Sequence, residues 1–262
     1  MIQRIFHYTS FETLKKIIEK RTIRFNSLLN VDDENEAITR DFGSLQAYYF
    51  SSCWTYDAQE NEELWKLYIK EDFGVRISAP PDFLMPILDN NDEVINHANN
   101  NAVCRLIHRG SKKRYAFLEK IQYREGYDRG NTAQLAKSLR GVFSDDFIEN
   151  FGLLKDRARW GFQKEIRFLI QAVPNKIIKK HISEYGDAST YNAFVEAIYN
   201  HDATDIEFID LVFDGKWLEE FNFLVGQKTT DEEFQQATQY LRLKIPGFRG
   251  ILTRSNLSSS VP

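Results

Sequence analysis

Glycine and proline are scarce in this chain of 262 residues, at 13 and 6, below the usual shares of roughly 7% and 5%. The glycines are scattered, and no two are separated by a single residue. There is no G-x-G-x-x-G and no G-x-x-x-x-G-K-[ST], which excludes a Rossmann loop and a P-loop at the level of motif. Cysteine is scarcer still. Cys53 and Cys104 alone make neither a disulfide scaffold nor a zinc ribbon, and they suit a reducing compartment. No run approaches the ~20 apolar residues of a membrane helix, and MIQRIFHYTS has no apolar stretch of signal-peptide length. The expectation is a soluble, cytoplasmic protein without a membrane partner. A net charge of −4 argues against coating nucleic acid by bulk charge, though not against a local basic patch. His7, His97, His108, His181 and His201 form no H-E-x-x-H and pair with no cysteine at ligand spacing, so no metal site is expected.

What the chain has is apolar and aromatic material: 42% hydrophobic and 14% aromatic, with 20 Phe and 12 Tyr, enough to bury a sizeable core. Residues 2–8 read as a short strand. Thr9 and Glu12 form a capping box that opens a helix with Phe11, Leu14, Ile17 and Ile18 on one face. Residues 22–25 read as a second strand, and 26–36 as a polar, acidic loop. Residues 47–54 (AYYFSSCW) are the clearest early strand. A helix over 60–70, a strand over 75–78, a polar surface excursion over 89–101, a strand over 115–124 and a helix over 132–150 follow. Residues 165–172 (EIRFLIQA) read as a strong strand, 191–199 as a helix, 208–213 as a strand and 217–225 as a helix. Thr230 caps a helix over 231–241 with acidic residues in its first turn. A last strand over 250–254 precedes a frayed tail, 256–262. No repeat and no long linker divides the chain. Strands outnumber clean β-α-β alternations, so the expectation is one α+β domain spanning 1–262.

Three polar positions sit on strands: His7 at the end of the first, Ser51 and Ser52 within AYYFSSCW, and Glu165 at the head of EIRFLIQA. A polar residue held on a strand among apolar neighbours is how a rigid site is built. Because strand side chains alternate, only one of Ser51 and Ser52 is expected to face a cleft. The bland alternative makes the serines core hydroxyls and pairs Glu165 with Lys164 or Arg167. A Cys53–His7 nucleophile pair competes with Cys53 as a small buried hydrophobe. The runs 109–114 (RGSKKR) and 155–159 (KDRAR) are short basic clusters, read either as guides for nucleic acid or as solvated faces.

The combination HYTS-x-x-x-L, FSSCW, E-x-x-W-x-x-Y and W-x-x-x-x-E-x-R-F resembles DUF2971, a family of uncharacterised bacterial proteins. The resemblance runs from His7 through Trp54, Trp65, Tyr68 and Trp160 to Glu165 and on to Phe213. The chain departs from it at 30–36, which lacks the proline often found there. The order of His, Ser and late Glu on successive strands is also similar, more remotely, to the ADP-ribosyltransferase-like superfamily. That likeness implies two small, mainly antiparallel sheets forming a cleft, with peripheral helices. It implies NAD as substrate, with His7 on a ribose hydroxyl, Ser51 or Ser52 orienting the site and Glu165 as the catalytic carboxylate. Tyr8, Tyr49, Trp54 or Trp65 would stack on a ring of NAD, and Arg24 or Arg167 would neutralise the pyrophosphate. The implied partner is a macromolecular acceptor, nucleic acid or protein, or water alone, and the implied setting is a toxin or phage-defence effector. A nucleotide- or peptide-binding module of the same fold, without turnover, is the alternative.

Overall fold

The computed structural model describes residues 2–31, 33, 38–39, 43–69, 73–84, 93–96, 101–107, 117–125, 152–202 and 204–257. The chain opens with β1 (Ile5–Ser10), α1 (Phe11–Lys20) and β2 (Thr22–Ser27), then two short strands, β3 (Ile38–Thr39) and β4 (Gly43–Ser44). Next come β5 (Tyr49–Thr55), α2 (Glu62–Tyr68) and β6 (Gly74–Ala79). They lead to β7 (Glu93–Asn96), β8 (Asn101–Ile107), β9 (Phe117–Lys120) and β10 (Gln122–Arg124). After β11 (Leu154–Asp156) and α3 (Arg157–Trp160) comes the longest strand, β12 (Glu165–Pro174). The last third contains α4 (Asn175–Tyr185), α5 (Thr190–Tyr199), β13 (Phe208–Val212), β14 (Asn222–Val225), α6 (Asp231–Lys244) and β15 (Leu252–Arg254).

Eleven strands form one continuous, mainly antiparallel sheet, with the order β15-β14-β6-β1-β5-β12-β8-β7 as its spine. The expectation of α+β is met at that level. The sheet forks. β5 pairs with β12 along seven residues, but its other edge is shared: Thr55 faces Phe6 of β1, while Phe50 and Ser51 face Ser27 and Asn26 of β2. β12 forks likewise, to β9 at Ile166–Leu169 and to β8 at Gln171–Pro174. Two separate small sheets were expected. Instead β5 and β12 are long enough to belong to both halves, so the ladder never breaks.

All ten residues of β12 are buried, because both faces of the sheet are covered. Ile166, Phe168 and Ile170 join Phe50 and Trp54 in one core, which α1 and α6 close with Leu14, Ile17 and Leu241. Leu169 and Val173 join Tyr49 in a second core under α4 and α5, with Ile178 and Phe194. Each of these large apolar side chains contributes roughly 1.5–3 kcal/mol by burial.

Several local expectations are corrected. Ser10, not Thr9, caps α1, accepting from the amide of Thr13. β1 runs through Ser10, the residue directly before the helix, so the cap falls one residue later. Residues 217–225 are not a helix: a short 3-10 turn, Gly215–Glu220, gives way to β14, whose edge pairing with β6 decides its state. α4 was not anticipated at all. Thr230 does cap α6, through a complete capping box with Glu233. The helix expected over 132–150, the basic run 109–114 and the end of the tail, 258–262, lie outside the described residues.

Candidate functional site

A cavity of about 540 Å³ opens where the sheet forks. β1 and β2 both run antiparallel to β5 and diverge from its edge, and α1 crosses between them. Ser52, Cys53 and Trp54 therefore have no strand partner on that edge. A buried carbonyl left this way requires another donor, and His7 supplies it: Nδ1 lies 2.8 Å from the Cys53 carbonyl oxygen. The carbonyl accepts, so Nδ1 carries the proton and Nε2 is a bare acceptor. Burial lowers the His7 pKa, the bond to the carbonyl opposing this more weakly, so the ring is neutral at pH 7. It packs against Trp54 with centroids 5.1 Å apart.

Ser51 and Ser52 both line the cavity, which corrects the expectation that only one would. The lining takes in consecutive residues of β5, Ser51 through Thr55, along the edge that β1 and β2 leave partly unpaired. Ser52 accepts from the Trp54 indole at 3.1 Å, and Ser51 Oγ lies 3.6 Å from the Cys53 sulfur.

Glu165 also lines the cavity, on the same sheet face as Cys53 and Ser51. It is reached through Lys164, whose backbone is left-handed at φ 42°, a conformation that costs a non-glycine residue roughly 1–2 kcal/mol. Its Oε1 accepts from Arg167 Nε at 2.8 Å and lies 2.6 Å from Arg167 Nη2; its Oε2 is 2.8 Å from Lys155 Nζ. The backbone amide of Glu165 donates to Tyr123 Oη at 2.8 Å. Burial alone would raise the carboxyl, but Arg167 and Lys155 outweigh it and hold the group well below the usual carboxylate range. The Cys53 thiol hydrogen-bonds this carboxylate. Burial first, and then Glu165, push that thiol up to about 12. Cys53 thus joins the two halves of the site, its carbonyl to His7 and its thiol to Glu165. A neutral thiol whose sulfur does not meet the imidazole is no nucleophile, which removes the Cys53–His7 reading.

The remaining expected residues divide. Tyr8 borders the cavity but is 4% exposed, its ring edge-on to Trp65 and its hydroxyl accepting from the Asn61 amide. Trp65 stands outside the cavity lining and donates to Glu60, so of the two rings only Tyr8 borders the cavity. Arg24 is at the rim, bound through two bonds of 2.9 Å to Asp210 and lying 3.6 Å over the Phe208 ring. Arg167 is fully buried, clamping Glu165 and donating to the Gly152 carbonyl at 2.9 Å. Both arginines are committed to protein partners, against the expectation of a pyrophosphate role. Lys164 pairs with Asp57, not Glu165. Within the basic run 155–159, Lys155 is an interior residue of the site rather than a solvated face.

Sequence reasoning missed Lys155, which looked like part of that run. It also missed Tyr68, 41% exposed at the cavity edge and accepting from Gln163 at 3.4 Å, and the cavity-facing residues of α1. Tyr68 lies three residues after Trp65 on the same side of the short helix, so spacing alone does not separate the ring that borders the cavity from the one that does not. Among the described residues, no group of three or more His, Cys, Asp or Glu is placed to hold a metal, and no helix is long and apolar enough to cross a membrane. Comparison with protein-family models, curated proteins and solved structures finds no match to this chain.

Proposed function

We propose that the fork cavity binds a nucleotide, with NAD as the candidate ligand. One observation carries this reading: a neutral imidazole with a bare Nε2 lines the same cavity as Ser51 and Ser52, where two strands diverge from one edge of β5. Its volume of about 540 Å³ is in the range of small-molecule sites. A ribose hydroxyl donates to Nε2, the serine hydroxyls serve the sugar or an amide, and the exposed ring of Tyr68 offers a stacking surface. Such a site needs no glycine-rich loop, in keeping with the scarcity of glycine.

ADP-ribosyl transfer is the second reading, favoured by the presence of His7, the serines and Glu165 on one cavity and by the likeness to DUF2971 and to ADP-ribosyltransferase-like proteins. Its acceptor would be a nucleic acid, a protein or water, and its setting a bacterial toxin or phage-defence effector. Loss of nicotinamide leaves positive charge on the sugar, which a fixed carboxylate stabilises. Glu165 is already compensated by Arg167 and Lys155. Transfer therefore requires the ligand to draw a cation off this carboxylate, whereas binding requires no such change. Calorimetric titration with NAD and incubation with labelled NAD separate the readings. Binding weakened about tenfold or more in His7→Phe, without turnover, supports recognition. Wild-type turnover that is abolished in a Glu165→Gln variant shown by circular dichroism to be folded supports transfer in its place. Absence of NAD binding by the wild type contradicts both.

A further inference from the structure

Helix α1 sorts its charges between two sides. Glu12 takes Lys15 at 2.5 Å. Glu19 faces α6, 3.1 Å from Tyr240 Oη and 3.9 Å from Lys244 Nζ. Lys16 and Lys20, one turn apart, are exposed, line the fork cavity and have no acidic partner among the described residues. Like charges four residues apart on a helix repel, and an anion laid against the pair relieves that repulsion. The carboxylates that line the cavity are already engaged, Glu165 by Lys155 and Arg167, and Asp210 by Arg24. Thr13 lines the same wall. Its Oγ1 accepts from Ser10 at 3.1 Å, which leaves its own proton to donate.

We propose that this wall of α1, with Lys16, Lys20 and Thr13, is the phosphate subsite of the cavity, and that the ligand carries a diphosphate. This rests on the nucleotide reading above and adds an orientation to it: sugar against His7, phosphates along α1. The topology explains the placement. α1 bridges the two strands whose divergence makes the cavity, which brings Thr13, Lys16, Ile17 and Lys20 to its lining.

The test is calorimetric titration of adenosine and ADP into the wild type and into the double variant Lys16→Ala/Lys20→Ala. Both lysines are exposed, and circular dichroism checks that the fold is kept. The wild type is expected to prefer ADP over adenosine by at least about tenfold, a preference that shrinks as salt rises. In the double variant the preference falls to near unity while adenosine affinity is unchanged. A preference retained in the double variant overturns the α1 subsite and leaves the nucleotide reading standing. Equal affinity of the wild type for the two compounds also overturns it. Failure of adenosine, ADP and NAD alike to bind overturns the subsite and the reading on which it rests.

Discussion

At the scale of single residues, the site is organised by where charge is compensated. Glu165 is buried with Arg167 and Lys155 against its two oxygens. Removing one member of a buried ion pair leaves the others unsatisfied and costs about 3–5 kcal/mol. Glu165→Gln is therefore expected to lose stability of that order in urea unfolding at pH 7. The pH dependence has a definite sign. The folded carboxyl lies below its ordinary value of 4.5, so its contribution is fully present above that value and is lost as pH falls through the folded pKa. The gap between wild type and variant should narrow over that acid range and stay constant above it. A variant as stable as wild type at pH 7 would show that the clamp contributes nothing. His7 behaves in the opposite sense: burial disfavours its charged form, so it protonates only at a pH below the ordinary 6.5.

At the scale of elements, α1 matters most, since it closes one core and walls the cavity. Its first turn depends on Ser10, whose hydroxyl accepts from the Thr13 amide at 3.2 Å. Ser10→Ala is expected to cost about 1 kcal/mol, read as a lower melting temperature; an unchanged melting curve would contradict the assigned cap. This cap also illustrates what local pattern reveals. The apolar face of α1 was legible from its spacing, but the competition between Thr9 and Ser10 for the cap is decided by how far β1 continues its ladder with β6. β5 and β12 were legible as unbroken apolar runs, and with them the polar exceptions Ser51, Ser52 and Glu165. Residues 217–225 read as helical because Trp217, Leu218, Phe221 and Val225 have helical spacing. Pairing with β6, distant in sequence, makes the second half a strand instead. α4 had a signal, Ile177, Ile178, His181 and Ile182 recurring on one face. Lys155 had none, because nothing local distinguishes a lysine that will meet a buried carboxylate from its solvated neighbours.

At the scale of the molecule, the fork in the sheet produces both the cavity and its polarity. Two strands share one edge of β5, the gap between them leaves a carbonyl without a strand partner, and an imidazole donates to it through one nitrogen while its second stays bare. None of this is visible locally, because it depends on which strands pair with which. The central claim is that His7 presents a bare Nε2 to a nucleotide. The most direct measurement is nitrogen NMR of the histidine side chains, with His7 assigned from the His7→Phe variant, before and after addition of NAD. The account predicts a neutral His7 at pH 7, protonated on Nδ1 and bare on Nε2, whose Nε2 resonance moves as NAD binds. A His7 protonated on Nε2, or an Nε2 resonance that saturating NAD leaves in place, would contradict it.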